Sequence, residues 1–147
     1  MQLTLEKVEF DEQRTVVEKV LQVLPVSRFL IDRNGLGMDL AEKVCAKYPQ
    51  AEGIDFTNSS KELMAIELKL RFQRGEVPIP LERDLMYQIH SIRKRVTDAK
   101  NSVYDTENNE KHHADMFWAL ALCVWAGRNE SGPAVTFGNN LFSGWRG

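Results

Sequence analysis

The residues in this chain best placed to do chemistry are two carboxylates at element boundaries, Asp32 and Asp115. Asp32 follows the apolar run Phe29-Leu30-Ile31 and precedes Arg33-Asn34-Gly35-Leu36-Gly37. A short apolar run with a β-branched residue is the pattern of a strand buried in a sheet. Helical spacing begins directly after the glycines, at Met38, Ala41, Val44, Cys45 and Tyr48. Strand, acid, glycine turn and helix is how an α/β fold sets a carboxylate at the carboxyl end of a strand, where open sheets carry ligands. Asn34, Gly35 and Gly37 read as the structural loop, because glycine permits positive φ and close backbone approach. The same residues also suit a plain strand-to-helix turn, with Asp32 capping the helix or accepting from turn amides.

Asp115 follows His112-His113-Ala114 and opens Met116-Phe117-Trp118-Ala119-Leu120-Ala121-Leu122. That run is apolar on every face, which predicts a helix buried against a sheet. In the first helical turn the macrodipole favours a carboxylate whatever else it does. Adjacent histidines on a regular helix cannot face one ligand, so His112 and His113 read as a polar helix start rather than a metal pair. Taken together, an acid ending a central strand and an acid opening a buried helix are parts of a two-metal phosphoryl-transfer site. Mg²⁺ and Mn²⁺ prefer hard oxygen ligands, and two ions roughly 3.5–4 Å apart activate a water and stabilise the leaving oxygen.

Arg93, Lys94, Arg95 and Lys100 form the densest basic cluster. Residues 92–97 alternate imperfectly, Asp98-Ala99-Lys100-Asn101 reads as a turn, and Val103 and Tyr104 restore an apolar signal. This predicts a β-hairpin with a basic rim. The rim either contacts phosphates or protects an edge strand by charge.

The elements that must position these residues can be read in order. Leu3, Leu5, Val8 and Phe10 suggest an edge strand, and Asp11 a helix N-cap. Val16, Val17, Val20, Leu21 and Leu24 make one apolar helical stripe that Pro25 ends. The Asp32 strand and its helix follow, closed by Pro49. Strand, helix, strand, helix implies an α/β sheet with crossover helices. A third strand is predicted over 53–57. Ser59 and Glu62 have capping-box spacing for a helix whose inner face is Leu63, Ile66 and Leu70. Val77-Pro78-Ile79-Pro80 must be extended, and a short helix carries Leu85, Met86 and Ile89. At 147 residues with 43% hydrophobic and 27% charged content, the chain is sized for one soluble domain. A net charge of −2 confines any nucleic-acid contact to a local patch. Cys45 and Cys123 lie on apolar helical faces and read as small core residues of a reducing compartment. No signal peptide is visible, and the longest apolar run is too short to span a bilayer. The glycine-rich tail holds Phe137, Phe142 and Trp145.

Four segments in order also carry a family resemblance: Ile31-Asp32-Arg33-Asn34-Gly35-Leu36-Gly37, Ser60-Lys61-Glu62-Leu63, Gly75-Glu76-Val77-Pro78-Ile79-Pro80 and His112 through Ala121. Over roughly residues 2–126 the chain resembles the nuclease domain of tailed-phage terminase large subunits, including the terminase-like proteins of Mu-like prophages. The resemblance implies an α/β, ribonuclease H-like fold: a mixed sheet flanked by helices, with a β-hairpin excursion. It implies a Mg²⁺- or Mn²⁺-dependent endonuclease cutting double-stranded DNA during packaging, in the cytoplasm of a bacterial host. Terminase small subunit, ATPase domain and portal are the implied partners, with no membrane. By that analogy Asp32 and Asp115 are catalytic metal ligands, and His113 orients a phosphate or water. The Arg93, Lys94, Arg95 and Lys100 hairpin would face DNA.

The resemblance has departures. The family's first catalytic Asp lies on a strand before the one that opens this chain, and nothing in Met1 to Phe10 matches it. No Gly-x-x-x-x-Gly-Lys-Ser/Thr phosphate loop occurs. The expectation is therefore an amino-terminally truncated nuclease domain over 1–129, without its first strand, followed by a tail over 130–147. The alternatives are a catalytically incomplete remnant that binds DNA or a partner, and another ribonuclease H-like enzyme of the resolvase or integrase kind.

Overall fold

Two parallel strands and their crossover form the frame of the structure, a computed structural model that describes residues 3–5, 7–35, 37–96, 102–106 and 114–129. Strand β1 (Phe29–Asp32) pairs with β2 (Ala51–Ile54), in register from Phe29 opposite Ala51 to Asp32 opposite Ile54. Parallel strands need a long return path, and α2 (Gly37–Lys47) supplies it, burying Ala41 and Val44 against the sheet side. Helix α1 (Phe10–Val23) precedes this unit and packs on α2. Helix α3 (Asn58–Gln73) follows it. Helix α4 (Arg83–Ser91) then leads into an antiparallel hairpin of β3 (Ile92–Val96) and β4 (Ser102–Thr106). Helix α5 (Asp115–Ala126) packs on α3, α4 and β1 and ends in a 3₁₀ turn, Gly127–Asn129.

The core sits between α3 and α5. Met64, Ala65 and Leu68 of α3 meet Phe117 and Ala121 of α5, with Phe56, Phe72, Ile89 and Trp118 packed around them. Among the described residues no helix is long and apolar enough to cross a membrane.

Several sequence expectations are corrected here. Residues 3–5 and 7–9 form no strand. Lys7 takes φ 55°, and the carbonyls of Val8 and Glu9 accept from the Gln13 side chain and backbone, which draws the segment into a helix start. The N-cap is accordingly Glu9 rather than Asp11. The capping box of α3 is Thr57 with Ser60, not Ser59 with Glu62: the Ser60 amide donates to Thr57 Oγ1 at 3.1 Å, and the Thr57 amide donates to Ser60 Oγ at 2.9 Å. Strand β2 ends at Ile54, earlier than predicted, because Asp55 and Phe56 are diverted into contacts with the Asp32 loop. The described strands make two separate two-stranded sheets instead of one mixed sheet.

The inner face of α3 is rotated from the predicted one. Leu63, Ile66 and Leu70 are 52%, 40% and 40% exposed, whereas Met64 and Leu68 are 0% and 1% exposed. Apolar residues lie nearly all round this helix, so its own periodicity is degenerate. Ala121, fully buried on α5, leaves the room that Met64 and Leu68 fill. Helix α5 is likewise not buried on every face. Ala119 and Cys123 are exposed, lining an open groove of about 600 Å³ with Val16, Val20, Phe29 and Leu30. Cys123 is therefore not a core residue, and Cys45 is half-buried.

This rotation has a direct test. Leu68→Ala should cost roughly 2–5 kcal/mol through the cavity it leaves, and Leu63→Ala within about 1 kcal/mol, read from urea unfolding midpoints. Equal costs would restore the predicted face.

Candidate functional site

Asp32 is the last residue of β1 and is half-buried. Its Oδ1 accepts from the Asn34 backbone amide at 2.9 Å, an Asx-type turn that aims the chain toward α2. The Asn34 side chain then bridges to the neighbouring strand end. Its Nδ2 donates to the Phe56 carbonyl at 3.2 Å, and its Oδ1 accepts from the Phe56 amide at 3.2 Å. The amide of Asn34 thus mimics one more rung of strand pairing beyond Asp32 and Ile54. Gly35 holds φ 57°. At Gly37 a Cβ would lie 2.6 Å from the Asp32 carbonyl oxygen, so the close approach there is to this backbone.

Beside Asp32, the Arg33 guanidinium grips Asp55 with both carboxylate oxygens engaged, at 2.5 and 2.6 Å. The hydrogen bond from Arg33 holds the Asp55 carboxyl below the usual carboxylate range, against an opposing push from desolvation. Arg33 is raised by the same bond.

Asp115 is the first residue of α5 and is exposed. This helix has no side-chain cap of its own at Ala114. Gln88 of α4 caps it instead, its Oε1 accepting from the amides of Met116 at 2.9 Å and Phe117 at 3.2 Å. Two contacts define the direction of α5. Near its carboxyl end Arg28, which precedes β1, donates to the Ala126 carbonyl at 3.4 Å while also pairing with Glu52 at 2.6 Å. Near its amino end, the Trp118 ring lies edge-on to Phe56, centroids 5.7 Å apart. Helix α5 therefore runs antiparallel to β1, and Asp115 and Asp32 share the end of the fold at which β1 and β2 terminate. Lys61, in the first turns of α3, holds its ammonium 5.1 Å from the Trp118 ring centre and 5.6 Å from that of Phe56. Sequence patterning does not single out Lys61, Gln88 or the Arg33–Asp55 clamp, because each acquires its partner only in three dimensions.

In the hairpin, Arg93, Lys94 and Arg95 are exposed. Lys94 pairs with Glu62 of α3 at 2.8 Å and lies 5.9 Å from the ring of its cross-strand partner Tyr104. The Glu62 bond raises the Lys94 ammonium. Arg93 donates to the carbonyls of His90 and Ile92. Lys100, His112 and His113 lie outside the described residues.

The oxygens of Asp32 and Asp115 suit a hard divalent cation in kind. Among the described residues no group of three or more His, Cys, Asp or Glu could hold a metal ion.

The clamp beside Asp32 makes a pH prediction. Because the Asp55 carboxyl is lowered in the folded state, the clamp's stabilisation is complete above the unfolded carboxylate value of about 3.9. It is lost as pH falls through the folded value. Carboxyl-detected NMR of Arg33→Gln should find the Asp55 titration moved upward; an unmoved titration would mean that the clamp is absent in solution.

No family model matches the chain. In sequence it is 28% identical over 114 residues to the terminase ATPase subunit of Escherichia phage P2, across 76% of this chain and 19% of that protein. In structure it is similar to the large terminase nuclease of thermophilic phage G20c with bound magnesium, at TM-score 0.70 and 20% identity. That match covers 82% of this chain and 64% of the other, and the form with bound cobalt gives the same values. A further crystal structure of that nuclease matches at TM-score 0.72 and 19% identity, over 85% of this chain and 64% of the other. The chain spans about a fifth of the length of the phage P2 relative and under two thirds of the solved nuclease. It thus shares its fold with the large terminase nuclease of phage G20c and is a distant sequence relative of the terminase ATPase subunit of phage P2.

Proposed function

We propose that this chain is the metal-dependent DNA endonuclease part of a phage-packaging terminase large subunit. One observation carries the reading: Asp32 and Asp115 lie at the same end of the antiparallel α5–β1 pair, on a large-terminase nuclease fold. ATPase domain, small subunit and portal belong to the same proposal as its packaging partners. Asp32 and Asp115 would hold the ion, and bound Mg²⁺ or Mn²⁺ would supply a polarised phosphoryl oxygen and an activated water. The residues of the chain do the rest. The Asn34 bridge and the Gln88 cap hold the two acid-bearing segments in place. His113, by its proximity in sequence to Asp115, orients a phosphate or a water. Arg93, Lys94, Arg95 and Lys100 bind backbone phosphates, with Lys94 exchanging Glu62 for the nucleic acid.

Two carboxylates leave a pair of ions without a bridging third. Mg²⁺ demands a near-octahedral oxygen shell and gives up water reluctantly, so an incomplete set penalises it more than Mn²⁺. Plasmid nicking by the chain should be slight in Mg²⁺, greater in Mn²⁺, absent with chelator, and abolished by Asp32→Asn or Asp115→Asn. Robust Mg²⁺-dependent nicking untouched by either substitution would put the chemistry elsewhere. That among the described residues no third acid or His/Cys joins a group that could hold a metal favours a second reading, a module that binds DNA or a partner without cutting; DNA binding with no nicking in either metal would select it.

Neutralising Arg93, Lys94 and Arg95 together should weaken duplex binding and flatten its salt dependence, since each phosphate contact releases counterions. A slope equal to that of the unsubstituted chain would leave the hairpin as a charge-protected edge.

A further inference from the structure

Lys61 differs from the other cations around the candidate site. Arg33 is clamped to Asp55, Arg28 to Glu52, and Lys94 to Glu62. Lys61 is half-buried and lies over two aromatic rings, and among the described residues no carboxylate pairs with it. Its carbon stem can pack on the rings while its ammonium keeps donors for something else. Both rings belong to the acid-bearing end of the fold. Phe56 is bonded through its backbone to Asn34, two residues past Asp32. Trp118 is three residues past Asp115, on the same helical face.

We propose that Lys61 is a phosphate-positioning residue, its ammonium held over the Phe56–Trp118 pair to contact a backbone phosphate of DNA lying across the Asp32 and Asp115 end. The proposal rests on the nuclease reading and adds a residue to it. An ammonium is a compact point charge suited to a phosphate oxygen, and the aromatic faces limit where it can sit, which reduces the ordering cost of binding. The placement also gives the strand a route. Glu62, the next residue of α3, bonds Lys94 of the hairpin, so α3 links the hairpin to the segment that carries Lys61. A phosphate track from the hairpin toward the acids passes Lys61, where its positive charge offsets the repulsion that two carboxylates exert on an incoming phosphate.

The test is DNA binding by the full chain, to a short duplex without divalent cation, over a range of salt. Lys61→Met keeps the stem on the rings and removes the charge; it should weaken binding and lower the salt slope by about one. Lys61→Arg should restore the slope. Lys69→Met, an exposed lysine two turns along the same helix, should leave binding unchanged. Thermal unfolding run alongside identifies a misfolded variant, and Lys61→Gln replaces Lys61→Met if the latter fails to fold. If the unsubstituted chain binds and Lys61→Met matches Lys69→Met in affinity and slope, the Lys61 assignment falls and the nuclease reading stands. If the unsubstituted chain binds no DNA at any salt, both fall.

Discussion

The antiparallel packing of α5 on β1 is the constraint from which the remaining arrangement follows. A helix of this length is marginal alone, and its apolar residues find their partners in α3 and β1. Both of its ends are tied to other elements, the amino end to Gln88 of α4 and the carboxyl end to Arg28 ahead of β1. The cation at the carboxyl terminus and the acceptor at the amino terminus each meet the helix dipole in the favourable sense. Reversing or sliding α5 would break both ties and move Asp115 away from the end of the sheet that carries Asp32.

A second level of order comes from the loop after β1. Asn34 links the two strand ends through paired hydrogen bonds with Phe56, and the Arg33–Asp55 clamp lies alongside. These bonds differ in weight. The clamp is half-exposed on both sides, and such pairs contribute little once solvent screens them. The Asn34 bonds satisfy backbone groups that would otherwise lack a strand partner. The loop's glycines serve this geometry, one through positive φ and the other through its distance from the Asp32 carbonyl.

Fold and chemistry rest on different grounds. Similarity to the phage G20c nuclease at 20% identity is similarity of fold, and a fold hosts many activities. What supports the proposed phosphoryl chemistry is the pair of acids at one end of the α5–β1 packing. Along β3 the three basic residues Arg93, Lys94 and Arg95 are consecutive and exposed, and Lys94 is tied to α3 through Glu62.

Much of this was legible in the sequence because it is local. Asp32 before an Asn-Gly turn, the helical spacing after Gly37, and the prolines at 25 and 49 each act on neighbours a few residues away, so β1, α1 and α2 appear close to where patterning predicts them. The strands of the hairpin were legible for the same reason, β3 and β4 pairing where the short-range pattern predicts them, while the turn expected at 98–101 lies outside the described residues. Tertiary structure decided what local pattern leaves degenerate. Helix α3 is apolar nearly all round, and only the fit of Met64 and Leu68 against Ala121 selects its inner face. Residues 3–5 and 7–9 alternate like a strand yet form none, and Gln13 claims the carbonyls of Val8 and Glu9. The cap of α5 comes from Gln88 and the cation over its aromatic face from Lys61, both distant in sequence. Sequence alone determined which acids stand at element boundaries; the packing of α5 determined that they share one end of the molecule, because helix direction is set by contacts and not by composition.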